Sequence, residues 1–324
     1  MNTTIGSTFI SKITNQADMD LLVKSLNLTS KNLIIKPNWV GGCLGEHTES
    51  KALDMFLTAI NRPVTFIESY TFWRTDKMTR GEGDYFSSKE ADIVEGKKHW
   101  DFFKQQDKLF LEVEGLDKLF KKHGANYINI TNEVWSGNTV SPDTIKTEVT
   151  KKYSPLHFDK LYSYVPQALY NLKGSDLISF AKAKADKEYG PSLSIKNMFG
   201  LIPDPHRSVA GYHGGGDDEP NLVNAIVDIH KIYQSLFNLK FLIDGIFTSG
   251  FMNWDTFQVE PTLDQKLAIA GTNGHEVDNI GSHLLQIPFN GPMVPLMKEY
   301  STLFGKNTIT ADQIPEDYKI SLKL

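Results

Sequence analysis

The sequence predicts an α/β protein of mixed, mostly parallel sheets flanked by helices, arranged as two closely packed halves over residues 1–165 and 166–324. Three observations support that class. Apolar runs of strand length recur at 32–36, 63–68, 175–184, 239–244 and 267–271. Segments with apolar residues at helical spacing alternate with them, and strand, helix, strand is the order of a parallel sheet. A chain of 324 residues is long enough to cover such a sheet and bury a substantial core.

Met19, Leu22, Val23 and Leu26 share one helical face ahead of the strand NLIIK at 32–36. Pro37 ends that strand, and the following Asn-Trp-Val-Gly-Gly makes a loop whose backbone can approach a ligand closely. Thr48 or Ser50 then caps a helix carrying Leu53, Phe56, Leu57 and Ile60. PVTFIE at 63–68 is the next strand. The charge-rich stretch 76–108 reads as a surface excursion, perched before one helix with Leu109, Val113, Leu116 and Phe120 on its inner face and Gly124 at its end. ANYINI supplies another strand. Between 131 and 165, IKTEVTKKY and KLYSYV alternate like strands of a hairpin or sheet edge.

SDLISFAKAK at 175–184 is a buried strand ending in Lys182 and Lys184. Pro220 opens a helix in which Leu222, Ile226, Ile229, Tyr233 and Leu236 keep helical spacing. LKFLID delivers Asp244 to the carboxyl end of a strand, and LAIAG at 267–271 is a further strand. The last internal helix turns Val277, Ile280, Leu284 and Ile287 inward, and its N-terminus is open to an anion.

Composition removes several functions. A net charge of -5 and an isoelectric point near 6.0 argue against a dedicated nucleic-acid binder, whose footprint is basic. The single cysteine, Cys43, excludes an intramolecular disulfide and a thiolate-held iron–sulfur or zinc site, and it suits a cytoplasmic address. No apolar run approaches the ~20 residues of a membrane span. Residues 1–16 have neither the basic start nor the apolar centre of an export signal. The oligomeric state is open.

The stretch from Tyr189 to His213, YGPSLSIKNMFGLIPDPHRSVAGYH, concentrates Lys196, Asn197, His206, Arg207 and His213 among glycines and prolines. Its apolar Leu193, Ile195, Met198, Phe199, Leu201 and Ile202 mark it as packed, and a packed irregular connection of this length is a candidate site. Lys36, Asn38 and Trp39 leave one strand and Glu68 leaves the next, at the end where α/β folds bind ligands. Lys36, Lys184, Lys196 and Arg207 would form a cationic pocket, and Asn38 and Asn197 offer orientable amides, a set suited to a carboxylate or phosphate. Glu68, Asp228, Asp244 and Asp278 balance these cations. HGGGDDE at 213–219, with Asp217 and Asp218, offers oxygen ligands and an imidazole to a divalent ion but has no HExxH-type spacing, so no residue is assigned a metal role. The dinucleotide glycine fingerprint, the Walker loop and the GxSxG elbow are absent.

KPNWV at 36–40, HTE at 47–49, VTFIES at 64–69, SLSIKNMFGLIP at 192–203, His213, NAIVDI at 224–229, LIDGI at 242–246 and IAGTNGHEVDNIG at 269–281 occur in an order that resembles the domain-of-unknown-function 362 family. The resemblance runs from about residue 30 to 287 and implies an α/β fold. Many members carry a ferredoxin-like module with cysteine-bound clusters, which Cys43 alone cannot supply. Two further departures stand out. Lys184 matches a Lys-Thr-His type sequence, but Asp186 stands near where a histidine is common. A glycine-and-proline turn after LIDGI is replaced by FTSGFMNWD.

The resulting expectation is an enzyme acting on a small anionic metabolite by lysine, histidine and carboxylate acid–base chemistry, in a pocket between the halves. Lys196, Glu68, His213 and Asp244 carry the chemistry. Lys36, Asn38, Trp39, Lys184, Asn197 and Arg207 hold the substrate, with Asp228 and Asp278 in supporting positions. A non-catalytic holder of an anionic ligand or cofactor and an accessory subunit of a redox enzyme are the alternatives. No cofactor is identified, an iron–sulfur cluster is not expected, and a bound divalent ion stays open.

Overall fold

The computed structural model describes residues 2–71, 74, 97–209, 211–212, 219–253, 258–305, 309, 311–320 and 322. In chain order the first half contributes β1 (Asn2–Ile5), β2 (Thr8–Lys12), α1 (Gln16–Ser25), β3 (Leu33–Pro37), α2 (Ser50–Thr58), β4 (Val64–Glu68), α3 (Trp100–Val113), α4 (Leu116–His123), β5 (Asn126–Asn129), α5 (Ile130–Ser136) and α6 (Pro142–Thr150). The second half adds α7 (Gln167–Tyr170), β6 (Asp176–Lys182), β7 (Lys184–Asp186), β8 (Gly190–Pro191), α8 (Ser194–Asn197), α9 (Asp204–Val209), α10 (Glu219–Leu236), β9 (Asn238–Gly245), β10 (Thr248–Asn253), β11 (Gln258–Leu263), β12 (Leu267–Gly271), α11 (Gly274–Leu285) and α12 (Met293–Phe304).

The fold is α/β, as the alternation of apolar runs and amphipathic segments implies. Its main sheet has eight strands in the order β1-β2-β12-β9-β6-β3-β4-β5. The run from β9 to β5 is parallel, and β12, β2 and β1 extend it antiparallel. Both halves of the chain therefore lie in one sheet, joined where β3 pairs with β6 and where β2 pairs with β12. A second sheet of four short strands, β11-β10-β7-β8, stands beside it.

Strand side chains alternate between two cores, the period-2 consequence of the pleat. Ile34, Leu177 and Ile243 face a core closed by α10, α11 and α12, whereas Ile35, Ile178 and Leu242 face a core closed by α1, α2 and α4. Burying each such side chain is worth about 1.5–3 kcal/mol. Helix α10 runs as the spacing of Leu222, Ile226, Ile229, Tyr233 and Leu236 requires, and all five are buried in the first core.

Five expectations are corrected. IKTEVTKKY is not a strand: Ser141 caps α6, Pro142 occupies its first turn, and Ile145 and Val149 are buried one turn apart. KLYSYV lies largely in a 3-10 helix over Asp159–Tyr164. The single helix expected across 109–120 is two, because Gly115 adopts φ 68° between α3 and α4. Neither Thr48 nor Ser50 caps α2, whose N-cap residue is Glu49. Thr48 is used between strands, donating to Phe180 O at 3.1 Å and accepting from Asn38 N at 2.9 Å. The N-terminus of α11 is already served by the Asn273 side chain, which accepts from Glu276 N at 3.0 Å. The Glu276 carboxylate is in turn held by Ser7 and Thr8 of the first hairpin. Among the described residues no helix is long and apolar enough to cross a membrane.

Candidate functional site

Strands β3, β4 and β5 step outward in one direction from the middle of the main sheet, and β6 and β9 step the other way. The crevice at the carboxyl ends of β3 and β6 is thus a topological switch point, where doubly wound α/β folds bind ligands. A cavity of about 250 Å³ opens there. Its walls come from the β3 loop (Lys36, Asn38, Glu46), from β7 (Lys184, Asp186), and from the 189–213 stretch (Lys196, Asn197, Arg207). Gly250, Met252 and Val259 of the small sheet close a further side. Gly45 and Gly250 permit this closure: a β-carbon on Gly45, at φ +86°, would stand 2.7 Å from Ser249 O.

At the floor, Lys36 is buried with all three ammonium hydrogens directed at protein oxygens. Its Nζ donates to Glu68 Oε1 at 2.8 Å, Pro37 O at 2.7 Å and Asn197 Oδ1 at 3.3 Å. Glu68 also accepts from the backbone N–H groups of Trp39 and Ser69, both at 3.1 Å. Asn197 returns its amide to Lys36 O and Ser179 Oγ, each at 3.0 Å. Burial pushes the Lys36 amine down to about 8, against the pull of Glu68, and the charges of Arg207 and Arg74 add to the lowering. The strand ends of β3, β4 and β6 are thereby fastened into one polar unit.

The wall opposite is α8, a single turn pinned from two sides. Asp278 of α11 accepts from Ser194 N and Ile195 N at 2.9 Å each, and from Ser194 Oγ. His230 of α10 donates Nε2–H to Ile195 O at 3.0 Å, and burial holds this imidazole down to about 4, hence neutral. So fixed, α8 presents Lys196 half-buried at the cavity, with Nζ 3.9 Å from the centre of the Tyr189 ring. Among the described residues that ammonium has no hydrogen bond and no ion pair. Burial lowers its pKa, Asp186 partly restores it and Lys184 lowers it again. Lys184 is lowered likewise by burial, opposed by Glu46 and Asp186. It donates to Glu46 O at 3.2 Å, while the Glu46 carboxylate stays 4.0 Å away. Arg207 pairs with Asp204 at 3.0 Å and leans over Phe199.

Lys36, Asn38, Lys184, Lys196, Asn197 and Arg207, all expected as site residues, line this one cavity. Glu68 sits beneath it on Lys36. Trp39 does not reach it: the ring is buried against Phe66, Phe110 and Phe120, and its indole N–H donates to Thr48 O at 3.1 Å. Asp244 is also elsewhere, 3.0 Å from Lys182, which is 3.0 Å from Glu49 as well. Chain direction explains the split, since Ala183 marks the crossing from β6 to β7 and leaves Lys182 and Lys184 in different surroundings. Asp228 anchors Phe158 N at 2.9 Å and His157 at 3.1 Å, away from the cavity. His213, Asp217, Asp218 and residues 76–96 of the charged excursion lie outside the described residues. Glu46, Asp186 and Asp204 complete the wall without having been assigned. Only Asp186 carried a sequence signal, as one of the two departures from the resembled family. The other, FTSGFMNWD, supplies Gly250 and Met252 to the same cavity.

Fold and site together define a doubly wound α/β protein with a charge-lined cavity at its strand switch. A family described as Domain of unknown function (DUF362) matches residues 86–283, and the chain belongs to it. No curated protein and no solved structure matches the chain. Among the described residues no three histidine, cysteine or carboxylate side chains are grouped to hold a metal ion.

Proposed function

We propose that the protein is an enzyme that binds a small carboxylate or phosphate metabolite in this cavity and moves a proton on it, with Lys196 as the exchanging group. The observation that carries the reading is the Lys196 ammonium, desolvated at the wall and without an ion pair among the described residues. An amine so placed attracts an anion when charged and accepts a proton when neutral. Its lowered pKa brings the neutral form closer to working pH, the usual way in which lysines become acid–base catalysts. Lys36, Glu68 and Asn197 form the fixed platform beneath, and Asn38 lines the same cavity.

A non-catalytic holder of the same anion is the second reading, favoured by Lys36, whose hydrogens are all committed to protein oxygens. Thermal-shift screening of carboxylate and phosphate metabolites, followed by NMR of each stabilising compound in heavy water, separates the two. Stabilisation lost in Lys196→Met, with deuterium entering the compound only when Lys196 is present, supports the enzyme. Stabilisation without exchange supports the holder. Stabilisation that ignores Lys196→Met overturns the assignment of the site.

A further inference from the structure

The cavity is not simply cationic. Its four cations, Lys36, Lys184, Lys196 and Arg207, are met by Glu46, Asp186 and Asp204 in the same wall and by Glu68 on Lys36. Charge is therefore close to balanced, and a multiply charged anion entering a water-poor space would unbalance it at high desolvation cost. Among the described residues Arg207 Nε is buried without a hydrogen-bond partner although its guanidinium pairs with Asp204, and two further atoms of opposite charge, Lys196 Nζ and Glu46 Oε2, make no hydrogen bond. Lys196 has no ion pair among the described residues, as described above. At Glu46, whose residue is only 5% exposed, the Oε2 atom is buried without a hydrogen-bond partner among the described residues. The carboxylates that act on Lys196 are Asp186 and Glu188, whereas Glu46 has Lys184 and Gly41 as neighbours. A buried acceptor left unmade is costly, so a donor that reaches it is strongly selected.

Building on the proposed anion site, we infer that its ligand is a small zwitterion, an amino-acid-like metabolite whose anionic group meets Lys196 and whose ammonium meets Glu46. Such a molecule satisfies both poles and leaves the charge of the cavity unchanged. Its size is bounded by the volume of about 250 Å³, below the roughly 300 Å³ at which drug-sized pockets begin. Val40, Met252 and Val259 give the carbon chain an apolar wall.

The test is calorimetric titration of the full chain with norvaline and δ-aminovalerate, against valerate, which lacks the ammonium, and pentylamine, which lacks the carboxylate. At least one zwitterion is expected to bind more than about tenfold tighter than valerate, because a site built around a hydrogen-bonding group rejects the analogue without it. Glu46→Gln is expected to remove that preference while valerate binding persists, and Lys196→Met to weaken zwitterion and valerate together. Valerate binding as tightly as both zwitterions in the wild-type protein overturns the zwitterion inference and leaves the anion site standing. Absence of binding by zwitterions and valerate alike at millimolar concentration overturns both. Because the wild-type comparison needs no variant, misfolding of Glu46→Gln cannot rescue the inference.

Discussion

Lys36 Nζ and Glu68 Oε1 stand 2.8 Å apart, joining the carboxyl ends of two parallel strands beneath the cavity. Both side chains are almost wholly buried, so neither charge has water to fall back on. Removing one partner of such a pair typically costs about 3–5 kcal/mol, whereas replacing both with apolar groups costs far less. Lys36→Met and Glu68→Gln are each expected to lower the unfolding free energy read from urea denaturation by an amount in that range. A double-mutant cycle checks the coupling, and additive losses would show that the contact is incidental.

Lys196→Met is expected to weaken anion binding by roughly 10–100-fold, the value of a charge-assisted hydrogen bond, with little change in stability. The wild-type affinity for an anion should fall as pH rises, with a midpoint below the ordinary lysine value of 10.5, since burial lowers this pKa. Calorimetry across pH is the measurement. An affinity flat up to that value would remove Lys196 from the binding surface.

Lys182, Glu49 and Asp244 make a buried triad that Thr248 completes by donating to Glu49 at 2.7 Å. Asp244→Asn is expected to destabilise the fold by about 3 kcal/mol while leaving the ligand affinity of the folded protein intact. Equilibrium unfolding and titration of the same preparation test this. A large loss of affinity at unchanged stability would return Asp244 to the chemistry.

Asp278 gives a pH signature. Burial raises its carboxyl from 3.8 to about 7 despite the donors of Ser194 and Ile195. Between those values the unfolded chain releases this proton and the folded chain keeps it, so the contribution is full below 3.8 and is lost as pH rises through 7. Asp278→Asn lacks the titration. Its stability relative to wild type should therefore improve as pH rises across that window, read from denaturation at several pH values. Parallel curves for the two proteins would contradict the assignment.

A β-carbon at Gly200 would lie 2.8 Å from Lys36 Nζ and 3.3 Å from Glu68 Oε2. Gly200→Ala is expected to cost about 1–3 kcal/mol, as overpacking does, and to weaken binding through displacement of Asn197. An unchanged melting temperature would mean that the pair yields easily.

What could be read in advance follows from how local each signal is. The strands β3, β4, β6, β9 and β12 and the helix α10 stand out because burial imposes a contiguous apolar run or a strict spacing. The hairpin β1–β2 went unread, since Thr and Ser alternate with few apolar residues and only Gly6, at φ 58°, marks its turn. In 142–150, Ile145, Thr147 and Val149 imitate a strand alternation, and the cap pair Ser141-Pro142 was the better guide. At the site, lysines and asparagines next to strand ends were legible because the fold class itself points there. Trp39 and Asp244 share that address but turn into the core and into the triad, a choice made by side-chain direction and by partners distant in sequence. Glu46 was silent for the same reason: nothing near it in the chain announces Lys184.

The cavity draws its walls from segments around residues 36–46, 184–207 and 250–259, and the central strand β6 is inserted beside β3 only after the outer strands β4 and β5 have been made. During synthesis the first half must wait with one flank of β3 unpaired, and Lys36 without its Asn197 acceptor. The cavity is consequently complete only once the chain has been made through residue 259. A metabolite that fits would act as a quality stamp, retaining completed molecules in their native form by mass action and ignoring truncated ones.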